Sequence, residues 1–293
     1  MSNADTRLER PGFRQRFSSL APRVAVALIF VPVLIWLGIR ASWGLWLLLN
    51  GAFLLAITEW LALSRAQGRK VQPWVQGAGM LAVLNTGFCP QEMGFPLTLV
   101  GVAMVIAVAR TLRPPIAGAG ADIGAALFGL IYVGALGSFI PRLISLPSGP
   151  EVATHYLSVG TAAFFLFFLM TWATDTCAYF AGLLLGKHPL FPSVSPKKSV
   201  EGLIGGVAGA ALFGWIGSRT FAPFILGWDA IGLGATIAVV GQLGDLVESA
   251  LKRDAGVKDA SSILPGHGGI LDRLDSLLFA APCVYVYLRY VVL

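Results

Sequence analysis

The chain has 293 residues, 56% of them hydrophobic and only 12% charged. Soluble domains carry about 25% charged residues, so a water-soluble fold of this composition would leave large apolar patches exposed, whereas lipid solvates such surface in a polytopic membrane protein. The net charge of +6 does not point to nucleic acid, because no basic helix stands apart from the apolar segments, and Cys89, Cys177 and Cys283 have no metal-type spacing and imply no disulfide framework.

A polar, basic tail occupies 1–22. The apolar run from Val24 to Ile39 lacks a small-residue cleavage site, so it reads as a first span and not as a removed signal peptide. Crossing the hydrocarbon core takes roughly 20 mainly apolar residues. Candidate spans fall near 23–39, 43–63, 74–89, 95–109, 122–140, 159–182, 203–218, 231–251 and 274–292. Backbone groups in lipid must bond within their own segment, which dictates helices. The expected fold is all-α, a polytopic integral membrane bundle of about nine transmembrane helices with a cytoplasmic N-terminus. Its expected organisation is the tail 1–22, about five helices over 23–158, and a C-terminal transmembrane region 159–293 carrying cytoplasmic loops 183–202 and 252–273. This arrangement puts 17 of the 21 lysines and arginines inside, leaving Arg40, Arg142, Arg219 and Arg289 outside, the bias that orients membrane proteins.

Glu59, Asp175, Asp245 and Glu248 lie inside or at the ends of apolar runs. A charge at mid-bilayer costs roughly 2.5–3.5 kcal/mol on insertion scales, so each requires water, a cation or a donor. In "TWATDTCAYFAG", Asp175 between two threonines reads either as a polar notch facing the bundle interior or as a helix–helix hydrogen bond. In "SPKKSVEG", Lys197 and Lys198 either orient the loop or meet substrate phosphates. In "GQLGDLVESALKR", Asp245, Glu248, Ser249 and Lys252 are spaced i, i+3, i+4, i+7 and form one helical stripe. It suits the wall of a hydrophilic cavity, and it suits equally a helix end whose acids pair with Lys252 or Arg253. In "PGHGGILDRLDS", Gly266, Gly268 and Gly269 around His267 free the backbone for close approach to a ligand, and consecutive amides in such a turn cradle phosphate. Asp272 and Asp275 then begin a helix, where its dipole favours them in any case.

Together these segments gather oxygen ligands, a glycine turn and several cations on one membrane face. Carboxylates with substrate phosphates are the usual setting of Mg²⁺, and cations with metal ions stabilise a transferring phosphoryl group. Metal-assisted transfer of a phosphorus group at a membrane surface is the expected chemistry.

The run "SALKRDAGVKDASSILPGHGGILDRLDS" closely resembles the signature of phosphatidate cytidylyltransferases, the CDP-diacylglycerol synthases: S-x-x-K-R, K-D and P-G-H-G-G-x-x-D-R-x-D. The matching residues are Ser249, Lys252, Arg253, Lys258, Asp259, Pro265 to Gly269, Asp272, Arg273 and Asp275. "DTCAYFAGLLLGKH", "SPKKSVEG" and "GDLVES" are also similar to family segments, so the resemblance covers about residues 170 to 280. The family usually has Thr-Trp where this chain has Ser199-Val200, which keeps a hydroxyl and loses an indole. The resemblance implies transfer of CMP from CTP to phosphatidate, giving CDP-diacylglycerol and pyrophosphate in phospholipid biosynthesis. The expected setting is a bacterial inner (plasma) membrane, with the active site facing the cytoplasm. It implies Mg²⁺ held by Asp245 and Asp272 with Glu248 and a second cation nearby, phosphates bound by Lys252, Arg253 and Arg273, help from Lys197 and Lys198, and a nucleotide approached by the Gly266–Gly269 turn with His267. Ser249, Lys258, Asp259 and Asp175 complete the expected substrate site. A CTP-dependent polyisoprenol kinase or another CDP-lipid synthase shares much of this chemistry. An ion-coupled transporter using Asp175, Asp245 and Glu248 fits less well, because the charges gather on one side. Glycine-rich spans can pack within the chain or between two copies in a homodimer.

Overall fold

The computed structural model describes residues 21–40, 43–89, 93–147, 157–261 and 268–293. Among these, every expected span coincides with a helix: α1 Ala21–Arg40, α2 Trp43–Ala66, α3 Pro73–Asn85, α4 Gly94–Thr111, α5 Ala119–Ile144, α6 Val159–Leu185, α7 Val200–Thr220, α8 Gly227–Asp254 and α9 Leu271–Val292. Seven, α2 and α4 to α9, are long and apolar enough to cross a membrane, and α1 has a shorter apolar stretch, Val31–Arg40. The 13 residues of α3 rise about 20 Å, short of a hydrocarbon core of roughly 30 Å.

The protein is an all-α polytopic membrane protein. Leu97, Val100, Met104, Val105 and Val108 of α4 are all more than half exposed, a continuous apolar face that suits lipid and not water. The core lies inside the bundle, where Phe53, Trp60, Met80, Phe164 and Phe167 are almost wholly enclosed.

Two local features depart from a plain helix bundle. The loop 183–202 folds back as a small antiparallel hairpin, β1 Pro189–Phe191 and β2 Ser195–Ser199, with Pro189 opposite Ser199 and Phe191 opposite Ser195. Ser199 then starts α7, its hydroxyl accepting a hydrogen bond from the Gly202 amide at 3.1 Å, the ordinary N-cap arrangement. The hydroxyl common to Thr and Ser at this position is therefore in use. In α5, residues Leu130–Ala135 wind as a π-helical turn.

Helices α6 to α9 pack in sequence order, α6 on α7, α7 on α8 and α8 on α9, while α9 also meets α2 and α5. Small residues set the spacing. A Cβ at Gly209 would collide with Cys177 of α6, and one at Gly234 would lie 2.5 Å from the Ala210 carbonyl of α7. A Cβ at Gly244 would lie 2.5 Å from the Asp275 carbonyl oxygen and 3.0 Å from Phe279 Cβ. Helices α8 and α9 therefore meet backbone against backbone beside Asp245 and Asp275. Ala has the better helix propensity, by about 0.8–1 kcal/mol, but overpacking of this kind costs about 1–3 kcal/mol. Gly244→Ala is therefore expected to lower the melting temperature in detergent and to reduce activity by separating the two helices; unchanged melting would show that they are not in close contact there.

Candidate active site

The stripe expected on α8 exists. Ser249 donates to an Asp245 oxygen at 3.3 Å. Glu248, only 1% exposed, is in ionic contact with Lys252 one turn on. Lys252 is itself buried and donates at 2.6 Å to Asp272 of α9, so one ammonium ties the end of α8 to the start of α9.

The start of α9 is built around two carboxylates. Asp272 accepts from the Gly269 amide at 2.7 Å and the Ala260 amide at 3.1 Å, as well as from Lys252. Gly268 has φ +78, and a Cβ there would lie 2.8 Å from an Asp272 oxygen, so both the turn and the close approach call for glycine. Glu59 of α2, 2% exposed, accepts from the amides of Ile270 at 3.0 Å and Leu271 at 2.7 Å and from the Ser261 hydroxyl at 2.5 Å. These are amides that a helix start leaves without internal partners, and the helix dipole adds to the attraction. Gly269 lies close beneath the same carboxylate; a Cβ there would be 2.7 Å from it.

The hairpin completes the site. Alternate residues of a strand face opposite ways: Lys198 turns inward to an ion pair with Asp245, and Lys197 stays exposed. Glu201 holds the hairpin closed, accepting from the Lys187 and His188 amides at 3.1 and 3.3 Å and meeting the His188 ring at 2.6 Å. Asp175 of α6 lies within electrostatic reach of Asp245, Lys198 and Arg273.

Asp245, Glu248 and Asp275 each offer an oxygen within 4.8 Å of the other two. Three hard oxygen donors suit a divalent ion such as Mg²⁺. The charges around it agree: the carboxylates of Asp175, Asp245, Glu248, Asp272 and Asp275 outnumber the nearby Lys198, Lys252 and Arg273. Asp245 and Glu248 group with Asp275 of α9, while Asp272 lies beside them on Lys252 and backbone amides. The two aspartates of α9 sit one turn apart; the first is taken up by Lys252 and amides, and the second offers an oxygen near those of Asp245 and Glu248 of α8.

Of the other expected residues, Arg253 is exposed and donates to the Val257 carbonyl at 3.3 Å, closing the end of α8. Lys258, Asp259 and Arg273 are exposed at the same end of the bundle. Gly266 and His267 lie outside the described residues. Glu59 did not figure among the expected site residues; a lone glutamate in an apolar span was its signal, but the amides it holds are more than 200 positions away. Glu59→Ala would strand those amides and remove one acceptor of the Ser261 hydroxyl. Hydrogen bonds to a charged group contribute roughly 1.5–3 kcal/mol each, so a destabilisation on the order of 3 kcal/mol is expected, with loss of activity and a smaller effect for Glu59→Gln. Wild-type melting and turnover in both variants would contradict the clamp.

A family model described as the cytidylyltransferase family matches residues 21–291. Among similar curated proteins, the phosphatidate cytidylyltransferase of Synechocystis sp. is 35% identical over 289 residues, covering 90% of this chain and 95% of that protein. The protein of the same name from Staphylococcus aureus is 31% identical over 271 residues, covering 90% and 96%. That of Staphylococcus haemolyticus is 49% identical over 122 residues, covering 41% and 46%. A carboxylate cluster fit for a divalent ion, lysines poised beside it, and a match along nearly the whole length lead to one conclusion: the chain belongs to the cytidylyltransferase family.

Proposed function

We propose that the chain transfers CMP from CTP to phosphatidate, giving CDP-diacylglycerol and pyrophosphate for phospholipid biosynthesis. The observation that carries this reading is the triad Asp245, Glu248 and Asp275 flanked by Lys198 and Lys252: a divalent-ion donor set and phosphate-binding cations within one bundle of apolar helices. The names of the curated relatives support the substrate pair. The 17-to-4 distribution of basic residues across the expected spans supports a cytoplasmic N-terminus and a site open to cytoplasmic CTP at a bacterial inner membrane.

In this reaction an oxygen of the phosphatidate phosphate bonds to the α-phosphorus of CTP while the bond from that phosphorus to the pyrophosphate oxygen breaks. The attacking oxygen is already an anion, so positioning and charge neutralisation dominate, as in phosphoryl transfer generally. Asp245, Glu248 and Asp275 would hold Mg²⁺, which when bound offsets negative charge on the transferring group. Asp272 orients Lys252, and the carboxylate surplus around the triad suits a second cation. Lys198 and Lys252, each paired with carboxylates, become available to substrate phosphates as a divalent ion takes over those carboxylates. Lys197, Arg253, Lys258 and Arg273 line the exposed rim and draw in the anionic nucleotide.

Labelled CTP tests the reaction. Label from the α-phosphate should enter lipid and label from the γ-phosphate should leave as pyrophosphate; γ-label in lipid would make the enzyme a kinase and overturn the reading. Asp245→Asn should lower kcat by about 100-fold or more, in line with the loss of a charge-stabilising group. Asp275→Asn should raise the Mg²⁺ concentration needed for half-maximal rate. Asp272→Asn should mainly lower the melting temperature, because the amide keeps one acceptor oxygen and sets an NH2 group against either Lys252 or the Gly269 and Ala260 amides. A Mg²⁺ requirement shifted by Asp272→Asn and untouched by Asp275→Asn would reverse the two assignments.

A further inference from the structure

Gln242 stands one turn before Asp245 on α8, a spacing at which helical side chains are neighbours. At about 100° per residue it lies about 60° round the helix from Asp245, on the side away from Glu248. About 60° farther round comes Val239, with Leu243 beyond it. Both are apolar and roughly half exposed, the side of α8 that suits lipid. Gln242 therefore occupies the seam between the carboxylates and the lipid-facing side. It is also about 4.5 Å farther than Asp245 from the end of α8 that carries Lys252 and Arg253.

The Nε2 of Gln242 is buried with no hydrogen-bond partner. A buried donor left unbonded is destabilising, and leucine or methionine would fill comparable space in an apolar helix without it, so packing does not account for the amide. A polar group kept inside a membrane bundle at such a cost is a usual mark of a substrate path.

The chemistry of the missing acceptor follows from level and side. A phospholipid carries its phosphate at the membrane surface, its ester carbonyls one glycerol backbone deeper and its acyl chains deeper still. With the phosphate drawn to the level of Asp245 by Lys198, Lys252 and a divalent ion, the ester carbonyls come to the level of Gln242 and the chains toward Val239 and Leu243. A carbonyl oxygen is the acceptor that an amide N–H requires.

We propose that Gln242 is a lipid-recognition residue: its amide donates a hydrogen bond to an ester carbonyl of phosphatidate and so selects a diacyl lipid. The inference rests on the reaction proposed above.

Gln242→Met in the full-length protein tests this in mixed micelles. Diacyl phosphatidate is compared with its dialkyl ether analogue, which keeps the phosphate and the chains and lacks both carbonyls. The unmodified protein should favour the ester lipid in kcat/KM by about 3-fold to 10-fold, the weight of one neutral hydrogen bond. Gln242→Met should treat the two lipids about equally, by acting more slowly on the ester lipid alone, with KM for CTP unchanged and melting unchanged or slightly raised. An ester-to-ether ratio equal in the two proteins would overturn the contact. Equal losses on both lipids with a lower melting temperature would make Gln242 a packing residue only, and a raised KM for CTP at an unchanged ratio would assign it to the nucleotide instead. Failure of the unmodified protein to make any CDP-lipid from CTP would overturn the proposed reaction, and this inference with it.

Discussion

A carboxylate carried into a membrane bundle has to be met by donors or cations, and this requirement organises the functional half of the molecule. Glu59 and Glu248 are almost completely buried among apolar helices. Each would be costly alone, and each is answered differently. Glu59 takes up the free amides at the start of α9 and fixes where that helix begins. Glu248 meets Lys252, which reaches on to Asp272. The helix ends are thus registered by charge, while the bulk of their contact surface is apolar and would tolerate sliding.

Close backbone approach converts that registration into a site. Gly244 lets α9 come against α8 at the level where Asp245 and Asp275 project. The hairpin before α7 delivers Lys198 to the same place, held by the Ser199 cap and the Glu201 latch at its base. A chain with larger residues at these crossings would keep its apolar bundle and lose the convergence of its acids. Under the proposed reaction the arrangement would also couple occupancy to charge: carboxylates available to a divalent ion are partly neutralised by lysines that phosphates would claim, so metal and anions would reinforce one another's binding.

Much of this was legible in the sequence, for identifiable reasons. Long apolar runs reveal helices because lipid permits little else, and the stripe Asp245, Glu248, Ser249 and Lys252 was visible because a helix brings positions three and four apart together. The features that escaped depend on distant partners or on small departures from regular geometry. Glu59 stood out as a misplaced charge, but nothing local pointed to Ile270 and Leu271. Asp272 and Asp275 looked alike as acids at a helix start, and only the crossing at Gly244 separates their surroundings. The hairpin strands are three and five residues long and rich in proline and serine, too short for an alternating pattern. The π-helical turn Leu130–Ala135 leaves no mark in an apolar run.

The central claim is that Asp245, Glu248 and Asp275 converge on a divalent cation. The most direct measurement is anomalous X-ray scattering at the manganese edge from crystals of the protein grown with Mn²⁺. A peak in contact with oxygens of all three side chains is the predicted result. A peak held by Asp272 without Asp275, or manganese bound only elsewhere in a well-ordered crystal, would contradict it.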